Sequence, residues 1–136
     1  MTGLDGIEFL SVEQVMTLHH RTIEKHGGLA GVRDLGLLEA AVAMPRQRFG
    51  GNYLHDDLAA MAGAYLYHLA LNHPFHDGNK RAAVMACLVF LDANGVTNLP
   101  GPRAMERLTM GVADGTMSKT QILEWLRAAL NDPPQR

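Results

Sequence analysis

Within nine consecutive residues, His73-Pro74-Phe75-His76-Asp77-Gly78-Asn79-Lys80-Arg81, the chain gathers a base, a carboxylate, an amide and two cations. The ordinary pKa of histidine lies close to working pH, so His73 in an apolar crevice is suited to take a proton from a hydroxyl. Asp77, four residues on, offers hard oxygen ligands of the kind Mg²⁺ takes when it also holds nucleotide phosphates. Gly78 lets the backbone approach closely, Asn79 can turn its amide to a phosphate oxygen, and Lys80 and Arg81 can offset charge as a phosphoryl group moves. An uncharged run from Ala82 to Leu91 follows, so the cluster reads as a loop opening a helix, whose free N–H groups and positive dipole end favour anions. The chemistry this describes is transfer from a nucleotide. Phe75, two residues after the base, is expected to anchor the loop in the core and so hold His73 in place.

The elements that must position this loop are mostly helical. Ser11 with Gln14 is a capping-box start, and Val12, Val15, Met16, Leu18 and Ile23 continue at mostly helical spacing to about His26. Gly27 and Gly28 stop that helix, a loop runs through Gly31, and Asp34 can cap a short helix carrying Leu37, Leu38, Ala41 and Val42 that Pro45 ends. From Pro45 to His55 no period is clear, and the stretch reads as an exposed loop or small flap. Asp56-Asp57 opens a long amphipathic helix with Leu58, Met61, Ala62, Tyr65, Leu66, Leu69 and Ala70, ending near Asn72. The helix after the loop is apolar on nearly all sides, which predicts a central one, ended by Gly95. Pro102 suits the first turn of a helix with Met105, Leu108 and Val112, broken at Asp114-Gly115. Ser118 with Gln121 caps a last helix with Ile122, Leu123, Trp125, Leu126 and Leu130, stopped by Asn131-Asp132-Pro133-Pro134. Strand patterns are scarce: Gly3 to Leu10 can hold a short extended piece, and Val96 to Leu99 is too brief for a core strand. The expected fold is all-α, about six helices around a central apolar helix that follows the loop.

At 136 residues the chain fits a single domain, residues 1–136. A 47% hydrophobic content is ordinary for a globular protein, and a net charge of −2 argues against a surface built to coat nucleic acid or anionic lipid. The single cysteine, Cys87, allows no internal disulfide and reads as a buried small hydrophobe, which fits a reducing compartment. No charged-then-apolar leader opens the chain, and the run from Ala82 to Leu91 is half a membrane span, so a soluble cytoplasmic protein is expected.

The nine residues around His73 resemble the signature of the Fic/Doc superfamily. Lys80 resembles the Doc, or death-on-curing, branch, where ordinary Fic adenylyltransferases carry a second glycine; Val84 stands where Fic carries a second arginine. Leu18-His19, Gly27-Gly28-Leu29, Asp34, Glu39 and Phe90-Leu91-Asp92-Ala93-Asn94-Gly95 extend the resemblance over nearly the whole chain. Gly78 departs from it, since a Doc pattern has alanine there, and it keeps AMP transfer open. The resemblance implies the Fic/Doc fold and a toxin of a toxin–antitoxin system: a protein kinase that holds ATP reversed, with the γ-phosphate at the histidine, and modifies a threonine of elongation factor Tu to arrest translation. Carried over, His73 is the catalytic base, Asp77 holds Mg²⁺, and Gly78, Asn79, Lys80 and Arg81 bind ATP phosphates. It also implies a cognate antitoxin whose C-terminal helix lies in a groove, and a flap at residues 45–55 where Arg46, Arg48, Phe49 and Tyr53 dock the target.

Two rivals come from other classes. His55-Asp56 and His76-Asp77 with Asp92 downstream are compatible with a metal phosphohydrolase of the HD type, and a Fic domain that acts only by binding would need no chemistry. Taken singly, His73 reads as a packed histidine and Asp77 as a helix cap. His76 reads as an exposed variable residue. His19, His20 and His68 lack cysteine companions and regular ligand spacing, so they read as solvated or hydrogen-bonded histidines, not zinc ligands. Arg21, Glu24 and Lys25 read as a solvated face, and Trp125 and the methionines as core.

Overall fold

The computed structural model describes residues 6–131. Six helices carry the architecture: α1 (Val12–His26), α2 (Leu35–Ala43), α3 (Leu58–Asn72), α4 (Asn79–Ala93), α5 (Pro102–Asp114) and α6 (Lys119–Asn131). Their starts follow local chemistry. Ser11 and Gln14 form the reciprocal capping box of α1, Asp34 accepts from the Leu37 N–H, and Asp57 accepts from the Ala60 N–H at 2.7 Å. Ser118 and Gln121 repeat the box at α6, and Pro102 opens α5. The residues expected to stop α6 beyond Asn131 lie outside the described residues.

The long helix expected to be amphipathic is buried on most of its sides. Ala59 to Leu66 of α3 are all buried, and the helix packs on α2, α4, α5 and α6. The reason is side-chain size. Alanine and glycine carry little hydropathy signal yet let neighbours close in: a Cβ on Gly63 would lie 2.6 Å from Leu123 Cδ1, so α6 sits on α3 where the side chain is missing. That contact and the 2.7 Å ion pair between Arg127 and Asp57 set α6 antiparallel to α3. Helix α4 packs on α1, α3 and α5 and buries Ala82, Ala83, Ala86, Cys87, Phe90 and Leu91, while Lys80, Arg81 and Met85 face solvent. Burial pushes the Cys87 thiol up to about 12, so it carries no thiolate. Met61 and Met105 are core residues as expected, but Met16 and Met110 are exposed.

Residues 48–53 form a hairpin where a flap was expected: β1 (Arg48–Phe49) pairs antiparallel with β2 (Asn52–Tyr53) across Gly50-Gly51, both at positive φ as a tight hairpin turn requires. A 3₁₀ turn, Met44–Arg46, joins it to α2. Of the extended piece expected before Leu10, the described part has no strand. Side chains hold it instead: Tyr65 Oη accepts from the Leu10 N–H at 2.9 Å, and Asn94 exchanges two 2.9 Å bonds with the Glu8 backbone. Among the described residues no helix is long and apolar enough to cross a membrane.

A buried histidine, His55, and a half-buried one, His68, make the fold acid-sensitive. Burial, reinforced by Lys119 and His55, pulls His68 down to about 4, and burial with Lys119 also lowers His55. Among the described residues His55 Nδ1 and His68 Nε2 have no hydrogen-bond partner. A histidine depressed in the fold binds its proton only on unfolding, so stability is full above about 6.5, its unfolded value, and falls as pH drops towards 4. Melting temperatures measured between pH 7 and pH 4 are expected to fall more steeply in the wild-type protein than in His68→Leu; equal slopes would refute the assignment.

Candidate active site

The site is built on the connection between α3 and α4. His73 ends α3 with φ 52° and ψ 53°, the only non-glycine residue at positive φ among those described. A left-handed residue at a helix end is ordinarily glycine or asparagine, so a histidine here is strained and needs the surroundings to hold it. Those surroundings come from a loop 40 residues earlier in the chain. Arg33 Nε donates to the His73 carbonyl at 2.8 Å, and Arg33 Nη2 donates to the Asn72 carbonyl at 3.2 Å. The backbone N–H groups of Arg33 and Asp34 both donate to the Pro74 carbonyl, Val32 bridges to Phe75, and the His76 N–H donates to Gly31. The loop after α1 is therefore laced to the loop after α3.

Beneath this lacing Phe75 is 1% exposed and stacks on the His19 ring, with centroids 3.7 Å apart and planes 4° from parallel. Asn79 closes the loop from the other side: its Oδ1 accepts from the Phe75 N–H and its Nδ2 donates to the Phe75 carbonyl, both at 2.9 Å. The amide expected to reach a phosphate is thus turned inward, and what Asn79 offers an anion directly is its backbone N–H. His19 is itself buried, and its Nε2–H donates to the Asp77 carbonyl at 2.7 Å. Burial lowers its pKa, and the bond to Asp77 pulls the other way without reversing it.

Above the buried layer, the chemical groups face solvent. His73 is exposed, not set in the apolar crevice expected of it; its Nδ1 lies 3.3 Å from the Ala70 carbonyl, so Nδ1–H donates and Nε2 is left to accept a proton. Asp77 is exposed, with Oδ2 accepting from the Leu29 N–H at 2.6 Å and Oδ1 engaged by none of the described residues. Gly78 caps α4 at φ 74°, a left-handed conformation that alanine adopts only with strain, so the glycine answers to backbone shape. Asn79, Lys80 and Arg81 then form the first turn of α4, where N–H groups have no intrahelical acceptor, and Lys80 and Arg81 are exposed without a carboxylate partner among the described residues.

The donor set fits Mg²⁺ in one way. Among the described residues no three His, Cys, Asp or Glu side chains converge on an ion, and Asp77 has one free oxygen. Mg²⁺ bound by one carboxylate with the rest of its shell from phosphates and water suits that arrangement. The HD pattern is not assembled. Asp57 caps the start of α3 and Asp56 pairs with Arg127, whereas Asp77 lies past the other end of a 15-residue helix. At ~1.5 Å per residue the two carboxylate groups stand roughly 20 Å apart.

The four docking candidates, Arg46 in the 3₁₀ turn and the other three in the hairpin, differ in freedom. The Arg46 guanidinium lies over the Phe9 ring at 5.2 Å, Arg48 lies over Tyr53 at 4.1 Å, and Tyr53 packs on Phe9. Phe49 is 83% exposed at the turn, its ring in no aromatic or cation contact among the described residues.

Sequence reading gave neither Arg33 nor the Leu29 N–H a place in this site, and took His19 as a solvated or hydrogen-bonded histidine with no role beside Asp77. Nothing local marks Arg33, whose role depends on a pairing between distant loops.

Comparisons with known proteins agree on one lineage. A family model described as the Fic/DOC family matches residues 9–91. Over 118 residues the chain is 35% identical to "Protein kinase doc" of Escherichia phage P1, covering 87% of this chain and 92% of that protein. It is 44% identical over 89 residues to "Toxin Doc" of Mycolicibacterium smegmatis, covering 65% of this chain and 66% of that one.

Proposed function

The chain belongs to the Fic/DOC family, on its Doc side, and from that premise we propose that it is a toxin kinase transferring the ATP γ-phosphate to a threonine of elongation factor Tu. The observation that carries this reading is the convergence, on one short connection, of a histidine whose Nε2 has no hydrogen-bond partner among the described residues and a helix N-terminus bearing two cations that no described carboxylate pairs. His73 Nε2 takes the proton of the attacking hydroxyl. The N–H groups of Asn79, Lys80 and Arg81, with the two side-chain charges, receive the phosphates and offset the charge that builds on them. Asp77 Oδ1 would hold Mg²⁺ shared with those phosphates, and the ion would supply further neutralisation of their charge. Val84, half-buried on α4, leaves no arginine where the adenylylating pattern has its second one, which supports γ transfer over AMP transfer.

Regulation by a cognate antitoxin accompanies this reading. A groove where Leu10, Leu18 and Val89 meet, with exposed Glu13 and Arg21 beside it, offers an apolar seat with charges of both signs for an amphipathic helix. Translation arrest, a cytoplasmic setting and the absence of direct nucleic-acid binding belong to the same proposal.

The test is incubation with elongation factor Tu and ATP labelled in turn at the γ and the α phosphate. Label from γ alone supports the kinase; label from α would make the protein an adenylyltransferase, and none from either would leave a binding-only domain. Asp77→Ala is expected to raise the Mg²⁺ needed for half-maximal transfer at least about tenfold, with partial recovery at high Mg²⁺. An unchanged Mg²⁺ requirement would remove Asp77 from the metal role.

A further inference from the structure

We propose that Arg33 is a positioning residue for the base: its guanidinium holds His73 in the left-handed conformation that aims the imidazole out of α3. The inference rests on His73 acting as the base of the reaction proposed above. Four observations carry it. His73 is the one non-glycine residue at positive φ among those described, so its backbone must be held by contacts. Two nitrogens of Arg33 grip two successive carbonyls, those of Asn72 and His73, a two-point hold that fixes orientation as well as distance. The Arg33 N–H adds a third attachment at the Pro74 carbonyl, 2.7 Å away, so one residue grips the backbone on both sides of the His73 Cα. Finally, these carbonyls end α3, where the helix dipole is negative and a cation is favoured.

The chemistry needs this control. His73 is exposed, and among the described residues its ring is held only by the long 3.3 Å approach of Nδ1 to the Ala70 carbonyl, which cannot fix the ring while the backbone beneath it is free. Released from Arg33, residue 73 can relax out of the left-handed region, and the ring swings with it. A base displaced by about 1 Å costs on the order of 10²-fold in rate. ATP binding rests on the first turn of α4 and on Asp77, which other contacts hold: Asn79 on Phe75, His19 and Leu29 on Asp77. The defect should therefore fall on the chemical step and not on ATP affinity.

Two variants separate positioning from bulk stability. Arg33→Met keeps the stem and removes the fork; Arg33→Lys keeps one point charge that can reach a single carbonyl. In transfer of γ-label to elongation factor Tu, Arg33→Met is expected to lose about 10²-fold in kcat with KM for ATP unchanged, and Arg33→Lys to lie between it and wild type. In parallel, the His73 three-bond HN–Hα coupling and imidazole nitrogen shifts, read by NMR on the apo protein, should change in Arg33→Met and recover partly in Arg33→Lys. Unaltered coupling and kcat in a folded Arg33→Met would overturn the proposal, as would equal losses in kcat and ATP affinity in both variants. If wild type transfers no label, the kinase reading fails, and the NMR comparison alone still decides whether Arg33 holds His73.

Discussion

Replacing His73 with asparagine is expected to cut phosphoryl transfer by about 10²–10⁴-fold, the usual contribution of a positioned general base, with ATP affinity and melting temperature near those of wild type. Asparagine is the informative substitution because position 73 does two things at once. It supplies Nε2, and it closes α3 at φ 52°. Asparagine tolerates the left-handed region and so removes the first role while keeping the second. Alanine removes both, so His73→Ala should lose as much activity and also melt lower. Glycine relieves left-handed strain of roughly 1–2 kcal/mol, and His73→Gly should be inactive yet melt no lower than wild type. Activity and stability thus part company across three substitutions at one site. Steady-state transfer assays beside thermal melts would show it; a His73→Asn protein retaining more than about a tenth of wild-type kcat would exclude His73 as the base.

What could be read from the sequence, and what could not, follows the range of the interactions. Helix starts were legible because their chemistry is local: Ser11 reaches Gln14 and Asp34 reaches Leu37, three residues away in each case. The candidate cluster could be picked out for the same reason, its histidine and carboxylate lying within one connection. Phe75 could be assigned as an anchor from its position alone, but its partner could not, since His19 comes from α1 and the bond from His19 to Asp77 spans 58 residues. Arg33 sits in a glycine-bearing loop that has no meaning until Val32 pairs with Phe75. Periodicity misjudged α3, because Ala59, Ala60, Ala62, Gly63 and Ala64 pack closely through being small and contribute little to an amphipathic pattern. The exposure of His73 was also out of reach, since the same residue types would suit a deep cleft or a surface.

Removing the buried layer under the loop is expected to have a large structural effect. Phe75 is 1% exposed and fills the space between His19 and the core, so Phe75→Ala should cost about 3–5 kcal/mol, a large share of the 5–15 kcal/mol typical of a whole domain. Asn79→Ala reaches the same loop by a different route. It removes no large apolar volume, but strands the Phe75 N–H and carbonyl in a buried setting, each at about 1–3 kcal/mol when unsatisfied. Asn79→Asp tells the two bonds apart: a carboxylate still accepts from the Phe75 N–H but turns a second acceptor on the Phe75 carbonyl, so it should be destabilising despite its matching shape. Denaturant unfolding would give the three losses. Phe75→Leu serves as the control, since it keeps much of the volume while losing the stack on His19, and it should lose less stability than Phe75→Ala. Because His73 and Asp77 flank Phe75 on the same backbone, Phe75→Ala should also lose transfer activity at temperatures where it remains folded. If it instead kept wild-type kcat once folded, the buried layer would be serving stability alone, and the base and the carboxylate would owe their places to Arg33 and Leu29 from above.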